Sequence, residues 1–161
     1  MSEVLYMHPD RFLGQTGEIR SVARRLFSEV ESLPIISPHG HTEPRWFADN
    51  EVFDNPTDML IVPDHYIFRM LYSQGVSLES LRIPAAGNES KVGPLEAWQT
   101  FADYYYIFQG TPTRIWLDFV FYEVFGLRDV LSAKTAQQYY EQISHQLKMD
   151  ALRPRAILDR F

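Results

Sequence analysis

The chain has 161 residues, 45% of them apolar and 14% aromatic, which is enough for a domain with a real core and too apolar for a disordered one. Its net charge of −6 argues against nucleic acid as a partner, because phosphate binding needs clustered Lys and Arg. With no cysteine, disulfides, thiolate catalysis, Cys-ligated zinc and iron–sulfur clusters are excluded.

The N-terminus shows no basic stretch followed by an apolar one, so no signal peptide is expected. Every apolar run is short and interrupted by charge, so no membrane span is expected either. The first predicted element is a helix over about 18–32, where Ile19, Val22, Ala23, Leu26, Phe27 and Val30 form one apolar stripe. Thr16 stands where an N-cap belongs. Pro34 ends that pattern, and residues 33–37, apolar and β-branched, predict a short buried strand stopped by Pro38. From about 43 to 148 the sequence reads as helices punctuated by Pro and Gly. Asn55-Pro56 predicts an N-cap and first helical residue, with Asp58 in the first turn. Pro63 opens another helix that Gly75 terminates, and 84–94 is a loop. An aromatic-rich helix over about 95–108 ends at Gly110, and Thr111-Pro112 caps the next, which stops near Gly126. Thr135 caps a helix over about 136–148, and Pro154 starts a last one. A single strand cannot pair with itself, and the chain ends in a helical pattern without a closing cap. Both features predict an N-terminal piece of a larger protein.

Three groups of residues could carry chemistry. His39-Gly40-His41 follows the strand pattern at once. Residues two apart on extended backbone share a face, so the two imidazoles can converge on a divalent metal. They can equally be two surface histidines in a turn. In Asp64-His65-Tyr66-Ile67-Phe68-Arg69, helical spacing puts His65, Tyr66 and Arg69 on one side of the first two turns. There they can move protons and hold a carboxylate, or simply be the wet face of an amphipathic helix. The aromatics from Trp98 to Phe108 and from Trp116 to Phe125 could form a sugar-stacking surface, but their helical spacing favours core, and no site is assigned there. His8 and His145 have no local partner pattern, and there is neither a phosphate loop nor a Gly-x-Ser-x-Gly motif.

The segment Ile35-Ile36-Ser37-Pro38-His39-Gly40-His41 resembles the first barrel strand of the metal-dependent amidohydrolase superfamily. Asp54-Asn55-Pro56-Thr57-Asp58-Met59, Asp64-His65-Tyr66-Ile67-Phe68-Arg69-Met70, Gln74-Gly75-Val76 and Phe108-Gln109-Gly110-Thr111-Pro112 narrow the resemblance to the uronate (glucuronate) isomerase family, from about Asp10 to Phe161. This implies an α/β fold, a (β/α)8 barrel of amidohydrolase type. Residues 1–161 would be the N-terminal portion of that one domain: a helix at about 18–32, the first strand at 33–37 and a helical insertion at about 43–148.

The activity implied is aldose–ketose isomerisation of hexuronates, D-glucuronate to D-fructuronate and D-galacturonate to D-tagaturonate, by proton transfer from C2 to C1. His39 and His41 match the family's metal pair, with zinc the expected ion. His65 and Tyr66 match its catalytic and substrate-binding His-Tyr pair, and Arg69 falls on its substrate-binding Arg. The expected partner is a small hexuronate, with no nucleic acid and no membrane, in the cytoplasm; assembly into a homo-oligomer stays open. The 161-residue chain alone is expected to be inactive. Two other readings remain: a metal-dependent hydrolase of the same superfamily, and a non-catalytic helical interaction domain.

Overall fold

The computed structural model describes residues 3–37, 40, 42–84 and 88–160. The chain divides into two compact units, Tyr6–Gly40 and a larger one made of Met1–Leu5 with His41–Phe161.

In the smaller unit, α1 spans Gly17–Ser28. The Thr16 hydroxyl accepts the Ile19 N–H at 3.3 Å, as its N-cap position predicts. The helix stops four residues earlier than expected. Val30 and Glu31 then bond back to the Phe27 carbonyl as turns. Arg20 and Arg24 reach Asp10 on the preceding segment. The predicted apolar stripe is present, but α1 has no buried residue, and Leu26 and Phe27 are 62% and 60% exposed. Residues 33–37 carry no strand. An extended segment becomes a strand only when a second strand offers it a ladder. Among the described residues the one β pairing is an isolated antiparallel bridge between Val4 and Asp129.

The larger unit is helical: α2 Pro44–Asp49, α3 His65–Ser73, α4 Pro94–Asp103, α5 Pro112–Phe119, α6 Ala136–Gln146 and α7 Pro154–Arg160. Trp98, Phe101, Tyr105, Phe108, Phe121, Tyr139 and Ile143 build the core, each no more than 1% exposed. α4 lies against α6, and the Trp98 indole N–H donates to the Ala136 carbonyl at 2.9 Å, pinning the start of α6 to the middle of α4. Much of the aromatic run therefore forms core, as its spacing predicts, with Trp98 and Phe101 ring centroids 5.4 Å apart and Phe121 edge-on to Tyr139 at 5.1 Å, whereas Tyr106 and Trp116 are exposed.

Several boundaries differ from the sequence expectation for tertiary reasons. The helix expected over 95–108 breaks at Tyr104 into a tighter turn, Tyr105–Phe108. That winding sets residues three apart on one face, which sends both Tyr105 and Phe108 inward. The helix expected after Pro56 is a wider single turn, Thr57–Ile61, closed by the Val62 N–H on the Thr57 carbonyl at 3.1 Å. Asn55 caps it reciprocally: its side-chain oxygen accepts the Asp58 N–H at 3.0 Å and its amide donates to the Asp58 carboxylate at 2.9 Å. Thr135 precedes α6 but makes no cap bond. Its hydroxyl instead accepts from the Ser132 N–H and donates to the Val130 carbonyl, both at 2.9 Å. α2 is held from far along the chain, since the Arg155 guanidinium donates to the carbonyls of Phe47 and Ala48 at 2.7 Å each, a cation on a helix C-terminus.

Candidate active site

The local sequence sets up α3. The helix expected to open at Pro63 begins at His65 with Asp64 as its N-cap: the backbone there is extended, and the Asp64 carboxylate accepts the Tyr66 N–H at 2.9 Å. His65 is thus the first helical residue. At the other end Gly75, with φ of +85°, closes the helix. The Val76 N–H bonds to the Leu71 carbonyl at 3.2 Å and the Gly75 N–H to that of Tyr72 at 3.0 Å. Buried Val76 lies beside buried Leu71, the apolar contact that accompanies such a cap.

Between these caps, burial fixes the rotation of the helix. Ile67 is 1% exposed and Leu71 fully buried, so the inward face is settled. His65, Tyr66 and Arg69 fall within about 100° of one another on the opposite side, as 3.6-residue periodicity requires. His65 is half-buried, while Tyr66 and Arg69 are exposed. The His65 and Tyr66 rings lie with centroids 4.3 Å apart and planes tilted by 33°. The structure thus brings together the three residues the spacing singled out and turns them to the surface. His39 and His41 lie outside the described residues.

Beside the start of α3 is a cavity of about 270 Å³. Its walls include Thr42, Trp46 of α2, Met59, Asp64, and Trp116 and Leu117 of α5. Thr42 directly follows the His-Gly-His motif and Asp64 directly precedes the His-Tyr pair. A second hollow of about 260 Å³ carries Asp49, Glu51, Asp54 and Asp58 with the single cation Arg45. Its charge opposes any anionic ligand. Sequence reasoning missed Trp116 as a feature of this region. Its spacing matches that of the core aromatics, but it is 57% exposed and stands in the cavity wall.

Imidazole is a good donor for zinc, but two histidines fill half of its usual four positions. Among the described residues no group of three or more His, Asp or Glu converges on one point.

A model of the glucuronate isomerase family matches residues 8–161. The chain belongs to this family. Relatives named uronate isomerase include one from Xanthomonas euvesicatoria pv. vesicatoria, 52% identical over 99% of this chain and 34% of its own length. Another, from Caulobacter vibrioides, is 49% identical over 100% of this chain and 33% of its own length. The crystal structure of glucuronate isomerase from Caulobacter crescentus superposes with a TM-score of 0.92 at 49% identity, over 98% of this chain and 33% of that one. Uronate isomerase from Thermotoga maritima gives 0.78 at 26% identity, over 96% and 31%. The chain spans about a third of the length of these family members.

Proposed function

We propose that the protein carrying this chain, together with the remaining two thirds of its relatives' length, isomerises hexuronates between aldose and ketose forms, with D-glucuronate or D-galacturonate as substrate. Family membership carries this reading, and the His65–Tyr66 pair on the exposed side of α3 gives it a chemical centre. The reading includes a (β/α)8 barrel in which the segment before His39 is the first strand, a zinc ion held by His39 and His41, and a cytoplasmic location.

The reaction moves one proton from C2 to C1 and another between O1 and O2. It therefore needs a base above the first two carbons and a group that can both donate and accept beside the oxygens. In this account the His65 imidazole takes the carbon-bound proton and returns it to the neighbouring carbon, since a ring nitrogen can both accept and donate a proton. The Tyr66 hydroxyl relays the proton between the oxygens, holding negative charge off them as the enediol forms. Arg69, one turn along from His65, holds the substrate carboxylate in its guanidinium fork, which fixes the sugar acid's direction. Zinc, when bound, would supply Lewis-acid polarisation of a substrate oxygen.

Incubating the full-length protein with D-glucuronate and following it by carbon-13 NMR and mass spectrometry tests this. The expected result is a ketose resonance at unchanged mass. No conversion would contradict the reading, and hydrolysis of amide or ester substrates in its place would point to the hydrolases of the superfamily.

A further inference from the structure

The aromatics at the centre of the larger unit are buried: Trp98, Phe101, Phe108 and Phe121 are all 0% exposed. Trp116 departs from them. It belongs to the same helical pattern yet is 57% exposed and stands in the wall of the cavity beside α3. Leaving an indole in water gives up a large burial gain, and an aromatic kept at the edge of a concavity points to a ligand.

The mounting of Trp116 is rigid. The Thr111 hydroxyl accepts the Arg114 N–H at 3.2 Å at the start of α5. One turn later the Arg114 guanidinium donates to Asp118 at 2.7 Å and lies 4.2 Å from the centre of the Tyr105 ring. The Tyr105 hydroxyl donates to the same Asp118 at 2.8 Å, and Leu117, next to Trp116, is only 6% exposed. α5 is thus tied to the core on one side while it presents the indole on the other. A platform held this way loses little freedom when a ligand arrives.

The neighbours indicate what ligand fits. Asp64, Thr42 and Thr113 share these walls with mostly apolar residues such as Trp46, Met59 and Leu60. The volume, about 270 Å³, lies near the lower end of the roughly 300–1,000 Å³ of small-molecule sites. A largely apolar wall with a few polar side chains suits the C–H face of a sugar: the indole covers that face, and Asp64, Thr42 and Thr113 are the groups that can exchange hydrogen bonds with its hydroxyls. It does not suit the carboxylate end of a sugar acid, which Asp64 repels.

We propose that Trp116 is a specificity-determining residue that packs against the C3–C5 stretch of the hexuronate, with Asp64 hydrogen-bonding its hydroxyls and the substrate carboxylate turned away from this wall. The inference rests on the isomerase reading above. D-glucuronate and D-galacturonate differ in configuration at C4, so a residue packed there discriminates between them.

The test is steady-state kinetics on both hexuronates with the full-length protein and its Trp116→Ala and Trp116→Phe variants, alongside thermal unfolding. In Trp116→Ala, KM is expected to rise about tenfold with kcat within about twofold, and the ratio of kcat/KM between the two hexuronates to move several-fold toward one. Trp116→Phe should fall between, and it decides the matter if the alanine variant does not fold. A wild-type ratio and KM in the variants would overturn the inference, as would an equal loss on both substrates tracking a lowered Tm. A wild-type protein that forms no ketose counts against the isomerase reading itself, whereas an active one with unmoved ratios counts against Trp116 alone.

Discussion

Asp64 holds the first turn of α3 in place by accepting the Tyr66 N–H, and it also forms part of the cavity wall. Replacing it with alanine removes the cap and is expected to cost about 1 kcal/mol. For a protein of this size that lowers Tm by about 3 °C. Asp64→Asn keeps an acceptor oxygen and should keep most of the stability, so equal Tm values for wild type and Asp64→Ala would show that the cap contributes nothing. Tyr105 gives a second residue-level expectation. Burial first, and the Asp118 charge second, push its phenol well above the ordinary range, with Arg114 opposing. Tyr139 shifts in the same direction, again chiefly through burial. An unfolded chain loses phenol protons near pH 10 while the folded one retains them, so the native state binds more protons above that pH. Stability should therefore be at its full value below about pH 10 and fall as pH climbs past it. Urea unfolding from pH 8 to 11 checks this; Tyr105→Phe should flatten the fall, and a pH-independent wild type would contradict it. At this scale His65, Tyr66 and Arg69 were legible because helical arithmetic needs only spacing. The exposure of Trp116 was not, since nothing local separates it from Phe101 or Trp98.

The best-read parts of the elements are their ends. Thr16, Thr111, Gly75, Gly110, Gly126 and Pro154 all mark boundaries where their side chains or backbone freedom predict them. A cap is a local bargain among four or five residues, so the chain states it openly. Gly75 tests this directly. At φ of +85° a side chain is strained even though a Cβ there would meet nothing within 4 Å. Gly75→Ala should thus cost about 1 kcal/mol through backbone conformation alone. A melting curve unchanged from wild type would show that the turn readily adopts another geometry. What was not legible at this scale was decided from afar. α4 breaks at Tyr104 because Tyr105 and Phe108 both belong inside, and the end of α2 is held by Arg155, more than a hundred residues away. The segment 33–37 has strand composition without a strand, because a ladder belongs to two segments and composition describes only one.

For the molecule as a whole, the resemblance read from five short motifs agrees with the family match over residues 8–161. The helical expectation for most of the chain agrees with the structure, which superposes on the Caulobacter crescentus enzyme at a TM-score of 0.92. Among the described residues α3 presents Tyr66 and Arg69 outward with half-buried His65 beside them, and the cavity wall joins residues adjacent to both motifs. If this surface is where a hexuronate changes from aldose to ketose, the phenol hydroxyl of Tyr66 is indispensable to the oxygen-to-oxygen proton relay, whereas its ring is not. The most direct measurement is the rate of D-fructuronate formation from D-glucuronate by the full-length protein and by its Tyr66→Phe variant. The account predicts a loss of roughly a hundredfold or more in kcat with Tm unchanged. A variant that forms ketose at the wild-type rate would contradict it.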